Sequence, residues 1–434
     1  MTTVGARVPA VGGTRTVPAP DPIARDYLLL ALRLDQHVPG LVDGYFGPAD
    51  LKSQVDLESR RPPARLRDDA RALADRLAAE VGEPDRRDWL AAQVDALEAH
   101  AASLAGDTLP YLDLVTRFFG WTPVRRPDAE FEQAARELDT LLPGAGPLPD
   151  RLAAWDATLE VPAERLGAAA DWLVARFRAR AERTFGLPRG EDLRLTLVGG
   201  QPWGAYNWYD GGLRSRVDVN TDLPARAPDL ARTIAQETFP GHHLEHAWKE
   251  ADLVEGAGRL EASALLINTP ECLLSEGLAD LGARFAMPSA EHADALVELF
   301  EVAGLAVAAD AARSRETAER AVRVHGPRSI LASARVNAAL MRHADGEDRG
   351  RVLDYLVRVG RFTPTVAAKR LEFIEHPLWR TYVFVYTEGE ALLRRWVEDV
   401  PEPDRAARFG RLLHEQLTPA AVVAELERAR AGHA

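Results

Sequence analysis

The run Pro240-Gly241-His242-His243-Leu244-Glu245-His246 places three of the chain's eleven histidines within five residues. On a helix each residue advances about 100°, so His242 and His246 stand one above the other, about 40° apart. That spacing lets two imidazoles reach one divalent ion. Glu245 falls on the same face, within reach of a water bound to such an ion. The stretch fits the inverted zinc-peptidase pattern His-x-x-Glu-His. A plainer alternative is a helix start carrying surface histidines, with Pro240 in its first turn and Trp248, Lys249 and Glu250 toward solvent. The remaining histidines are scattered along polar helices, loops and the tail, where solvated or satisfied rings are the default.

Two further groups could take part. Glu276 follows Pro270-Glu271-Cys272-Leu273-Leu274, whose apolar residues would bury it, and Gly277 permits close helix approach. A buried carboxylate needs a partner, either a metal or an arginine such as Arg284 on the same helix. In the C-terminal third, His376, Arg380, Tyr382, Tyr386 and Glu388 form a polar and aromatic cluster. Tyr382 and Tyr386, four apart, share a helix face. A phenol there could donate to a developing oxyanion, with Tyr386 the first candidate, and Arg380 could clamp a substrate carboxylate. Aromatic core with surface ion pairs is the alternative for each. The aromatics of Gln201 to Tyr209 could line a cleft or simply pack a turn.

These residues need a scaffold, and the patterning describes a mainly α one. From Asp21 to about Leu187, apolar residues recur at three- and four-residue spacing, as in Arg65 to Val81 and Trp89 to Leu104, the mark of bundled amphipathic helices. Pro and Gly punctuate them at Leu142 to Pro147. Between Leu193 and Leu223 the pattern changes. Leu193 to Val198 and Leu213 to Val219 alternate in the manner of strands, with glycines between, which predicts a small antiparallel β insert or hairpin. Helical spacing resumes at Ala227. The expected organisation is a loose arm over 1–20, a helical region over 21–190, and the β insert with a second helical region over 191–434.

Composition narrows the partners. A net charge of −13 repels phosphate backbones, so nucleic acid is not expected. No apolar run approaches the roughly eighteen residues a membrane-spanning helix requires, and the first twenty residues carry no apolar core of a secretory leader. A single cysteine, Cys272, cannot form an internal disulfide and fits a reducing cytoplasm. Any tightly held metal must therefore sit on histidine and carboxylate.

The residues upstream of the histidines extend the motif. Gln236-Glu237-Thr238-Phe239-Pro240-Gly241-His242-His243 resembles the His-Glu-x-x-Pro-Gly-His-His signature of the DUF885 family of bacterial proteins, in its shorter actinobacterial form. Ser275-Glu276-Gly277-Leu278-Ala279 resembles that family's Glu-Gly-Trp-Ala element, with Leu278 at the Trp position. Val217 to Asn220 resembles the strand preceding its active helix, and Tyr382 to Gly389 its Tyr-rich element. The resemblance covers about residues 21 to 430. It implies a zincin-like helical metallopeptidase-type fold, with the second ligating histidine at His242 or His243, Glu276 as third ligand and Glu237 as general base.

The chain departs from the family at its leading histidine, which is Gln236 here. An amide oxygen is a far weaker zinc ligand. His246 is the obvious substitute, giving an expected shell of His242, His246 and Glu276, with His243 open. Pro240 cannot donate to the carbonyl of Gln236 inside a helix. Either a kink brings Glu237 over the histidines as base, or two separate segments form and Glu245 is better placed. The expected function is zinc-dependent hydrolysis of an amide or peptide bond in a small molecule or short peptide, with Arg216 and Asn220 holding the substrate beside a strand. The rivals are a metal-dependent enzyme of another reaction type and a non-catalytic binding protein with a degenerate site.

Overall fold

In the computed structural model, which describes residues 21–432 apart from Pro202, helices dominate, as the patterning predicts. The expected arm over 1–20 lies outside the described residues. Asp21 starts the first helix, Pro22–Asp35, by accepting the Ala24 N–H at 2.7 Å, with proline in the first turn where its missing N–H costs nothing. Two of the predicted amphipathic stretches form the helices Pro63–Glu80 and Pro84–Leu104, which pack on each other, the first burying Leu66, Ala70, Leu73 and Leu77. The Leu142 to Pro147 punctuation separates the helices Asp128–Leu141 and Leu148–Ala157.

The change of character near residue 190 is not a gap in packing. One contiguous apolar cluster runs from Ile23 to Leu426. The helix Pro270–Ala286 lies against Pro84–Leu104, Tyr111–Phe119, Ala163–Phe185, Ala227–Glu237 and Val385–Glu398, joining both regions.

The β insert has three strands: β2 (Asp192–Val198), β3 (Ala205–Tyr209) and β4 (Arg214–Asn220), in the order β2-β4-β3. β4 pairs with β3 antiparallel and with β2 parallel, so the sheet is mixed and not the simple antiparallel hairpin expected from sequence. The cause is β3. The aromatic segment read as cleft lining or turn is itself a strand, and the hairpin is β3-β4, which leaves β2 to enter on the far side of β4. Its turn uses positive φ at Gly211, Gly212 and Leu213. Glu250 holds the turn, accepting from the Gly212 and Leu213 N–H groups at 2.9 and 3.0 Å and from the Tyr209 hydroxyl at 2.5 Å. Along β4, Ser215, Val217 and Val219 are buried while Arg214 faces solvent. A second sheet, unexpected from sequence, pairs β1 (Val42–Tyr45) antiparallel with β5 (Ala264–Leu266). Strands of four and three residues are too short to show periodicity.

The motif resolves into two helical segments. Ala227–Glu237 ends, the chain turns through Thr238, the cis peptide Phe239-Pro240 and Gly241, and a new helix spans His242–Lys249. Gly241 is obligatory. A Cβ there would lie 1.9 Å from the carbonyl oxygen of Gln236. Gly277 and Gly389 play a similar part between helices. A Cβ on Gly277 would meet the backbone of Gly389 at 2.4 Å, so the helices Pro270–Ala286 and Val385–Glu398 touch backbone to backbone. The close approach expected of Gly277 is thus present, and it brings Glu276 beside the Tyr382–Tyr386 segment.

Candidate functional site

His242 is the hub. Its ring stacks on that of His246 at 5.8 Å with 13° between planes, the arrangement that spacing predicts for i and i+4. Its Nδ1 lies 3.8 Å from Glu245 and its Nε2 lies 3.9 Å from Glu276. His242 therefore looks onto two donor groups. His242, Glu245 and His246 bring one ligand atom each within 4.8 Å of one another, and Glu276 is outside that group. The expected trio of His242, His246 and Glu276 is thus split across the two sides of one imidazole.

The inner side is already neutralised. Lys249 donates to Glu245 at 2.7 Å and to Glu271 at 2.9 Å, and Ser275 donates to the other Glu245 oxygen at 2.6 Å. Lys249, expected to face solvent, is buried because those carboxylates supply its counter-charge. Burial opposes ionisation of Glu245, but Lys249 and the histidines outweigh it and hold the carboxyl well below its usual range. Glu245 is consequently a fixed anion with both oxygens engaged, a poor proton shuttle even though the two-segment geometry obtains. Burial lowers the His246 pKa to about 3, with His242 and Lys249 reinforcing and Glu245 opposing. Its ring is neutral at neutral pH, and its Nδ1 is buried without a hydrogen-bond partner.

The outer side faces the end of the preceding helix. Gln236 donates through Nε2 to Glu276 at 3.4 Å, and the Tyr382 hydroxyl donates to the other Glu276 oxygen at 2.6 Å. Arg284, the alternative partner considered for Glu276, instead lies 3.8 Å from Glu390. Glu237 stands beside the same residues, its backbone carbonyl accepting from Asn207 of β3 at 2.7 Å. Burial is the main cause that lifts its pKa from 4.5 to about 7; His242 opposes the rise while Glu276 and Asp43 add to it. For His242, burial works against the charged ring, but Glu245, Glu276 and Glu237 prevail and raise its pKa to about 10.

Several expected participants lie elsewhere. His243 is fully buried on the opposite face, with Nδ1 on Ser215 at 2.8 Å and Nε2 on Glu191 at 3.0 Å, so both ring nitrogens are engaged away from His242. Arg216 bonds Asp218 at 3.1 Å and lies over Trp208, forming a closed group on the sheet surface. Asn220 donates to the carbonyls of Gln201 and Trp203, shaping the loop between β2 and β3. β4 is also the central strand, paired on both sides, so it offers no edge for a peptide to join. Arg380 is held through its backbone, its carbonyl accepting from Tyr111 at 2.5 Å. The C-terminal cluster likewise divides: Glu388 accepts from Trp121, while Tyr382 and Tyr386 stay together, ring centroids 5.4 Å apart. Burial raises both phenols well above their ordinary pKa, so both remain protonated donors.

Four residues near the hub were given no part in the site by the sequence reading. Asp43 of β1 accepts from the Tyr206 hydroxyl, Ser275 and Lys249 hold Glu245, and Asp280 lies one turn beyond Glu276. Two of them had a legible signal in their i+4 spacing, Lys249 from Glu245 and Asp280 from Glu276.

No family model matches the chain, and no curated protein matches it. Among solved structures the chain is similar to the crystal structure of a "putative lipoprotein" from Colwellia psychrerythraea, with a TM-score of 0.50 and 13% identity over 84% of this chain and 66% of that one. It also aligns with a protein of unknown function from Shewanella oneidensis that bears the same description, at a TM-score of 0.46 and 10% identity over 92% of this chain and 82% of that one. The chain spans just under two thirds of the Colwellia protein's length. Likeness at this identity concerns the fold. No helix among the described residues is long and apolar enough to cross a membrane.

Proposed function

We propose that the chain is a metal-assisted hydrolase of an amide or peptide bond in a small molecule or short peptide, with a zincin-type site related to that of the DUF885 family. Its place of action would be a reducing cytoplasm, in keeping with the lone thiol. The observation that carries this reading is the outer corner, where His242 Nε2 and Glu276 Oε2 are 3.9 Å apart with the Gln236 amide against the same carboxylate. Donor atoms bound to one zinc at about 2.1 Å lie roughly 3 to 4 Å from each other, so this pair fits a cation. The inner group fits less well, because Lys249 already sits on Glu245. Gln236 could turn its amide oxygen toward the corner, a neutral and weak ligand in place of an imidazole.

A divalent ion held by His242, Glu276 and Gln236 would polarise a carbonyl and acidify a water. The chain's own residues do the rest. Glu237, half ionised near neutral pH, takes a proton from water and returns it to the leaving amine. Tyr382 fixes the direction of Glu276. Tyr386, beside it, is the donor for charge developing on the substrate oxygen.

A second reading, a binding protein that holds no metal, is favoured by one observation: Gln236 already satisfies Glu276 by hydrogen bonding. Elemental analysis of the wild type, His242→Ala and Gln236→His separates the two, together with a panel of acyl-amide and peptide substrates assayed with and without chelator. The hydrolase reading expects zinc or another divalent metal in the wild type, its loss in His242→Ala, and tighter retention in Gln236→His. A wild type and a Gln236→His variant that both lack metal, with no chelator-sensitive hydrolysis, would leave the binding protein.

A further inference from the structure

Beside the candidate site stand two arginines, in a chain whose acidic residues outnumber its basic ones by 66 to 53. Arg335 heads the helix Ala334–His343, and its guanidinium lies 5.1 Å over the ring of Tyr386. Its Nε is buried without a hydrogen-bond partner. Arg370, on the neighbouring helix Pro364–Glu375, is exposed and acts on Arg335 as a like charge. Among the described residues neither guanidinium forms an ion pair with a carboxylate. Asp280 lies within electrostatic reach of Arg335 and of Glu276 but makes no hydrogen bond to either.

Two like charges within electrostatic reach of each other, one with a buried and unpaired N–H, are unfavourable unless something anionic joins them. The contacts back to the hub are continuous. Arg335 lies on Tyr386, Tyr386 on Tyr382, and Tyr382 on Glu276. An anionic group bound by Arg335 would thus hold the remainder of a small molecule beside Tyr386, toward the His242–Glu276 corner. The guanidinium fork suits a carboxylate or a phosphate.

We infer that the site takes substrates bearing an anionic group, and that Arg335, assisted by Arg370, binds that group beside Tyr386. The inference rests on the His242–Glu276 corner being the reacting place, and it adds the class of molecule that comes there. It is tested by binding, without turnover. N-acetyl-phenylalanine and its neutral amide are titrated against the wild type, Arg335→Gln, Arg335→Lys and Arg370→Gln, with acetate and inorganic phosphate as competitors.

The wild type should prefer the acid by about tenfold or more, the scale of one charge-assisted contact. Arg335→Gln should bring the two affinities within about twofold by weakening the acid alone, and Arg335→Lys should keep part of the preference. Arg370→Gln, at an exposed position, reports the same loss in smaller measure should Arg335→Gln fail to fold. Competition by acetate identifies a carboxylate site and competition by phosphate a phosphate site. Equal affinity for acid and amide in the wild type, or an equal loss of both in Arg335→Gln, overturns the inference, as does the absence of binding by acid, acetate and phosphate alike. Acid preference in a protein that cleaves no amide would remove the hydrolase reading and leave the anion site standing.

Discussion

The Tyr382 hydroxyl donates to Oε1 of Glu276 at 2.6 Å, across 106 residues of sequence. The phenol is buried and protonated, so it points one carboxylate oxygen away and leaves the other toward Gln236 and His242. The contact decides which lone pairs of Glu276 can meet a cation.

Tyr382→Phe removes that support with little change in volume. Loss of an outer partner of a ligating carboxylate typically weakens metal affinity roughly ten- to a hundredfold. The same fall is expected here, with the thermal midpoint nearly unchanged. Zinc titration against a competing chromogenic chelator measures it, and unaltered affinity would show that Glu276 needs no such guide.

Glu237 sets a pH dependence with a definite sign. Its pKa is raised from 4.5 to about 7 in the folded chain, so the folded state binds this proton more tightly than the unfolded state. The stability it contributes is therefore present below pH 4.5 and lost as pH rises through about 7. In chelated protein, Glu237→Gln should be more stable than the wild type at pH 8 and lose that advantage toward pH 4.5. Hydrolysis, if Glu237 is the base, should climb through pH 7 in the wild type and vanish in the variant. Urea denaturation at three pH values, with parallel rate measurements, covers both.

Lys249→Met leaves Glu245 and Glu271 without their shared cation. Removing one partner of a buried ion pair costs about 3–5 kcal/mol. The lower end is expected, because Ser275 still donates to Glu245. Adding Glu245→Gln to the same chain should recover a good part of the loss. Chemical denaturation of the single and double variants reads the difference.

Gly277→Ala places a methyl group 2.4 Å from the backbone of Gly389. Neither backbone can yield as a flexible side chain would. A loss of about 1–3 kcal/mol or more is expected from such overpacking, with a matching effect from Gly389→Ala. Thermal denaturation followed by circular dichroism measures both.

Much of this arrangement could be read from the chain, for reasons that differ by residue. His242 and His246 stack because four residues return a helix to nearly the same face, a local rule the structure obeys. Pro240 and Gly241 announced a break, and a break is there. Which of His242 and His243 faces Glu276 depends on the helix's rotation about its axis, set by Ser215 and Glu191 from a sheet that local patterning does not orient. Lys249 was assigned to solvent because a lone lysine usually belongs there; its burial depends on Glu271, which another helix supplies. Asp43 belongs to a four-residue strand whose partner lies more than two hundred residues on, a pairing no spacing reveals. Arg216 and Asn220 were legible as polar residues on a strand, but their partners are loop carbonyls and a neighbouring aspartate.

The contact of Gly277 with Gly389 has a mechanical result. Two helices that meet without intervening side chains have no layer of rotamers in which to slip, so the wall bearing Glu276 and the wall bearing Tyr386 must travel as one piece.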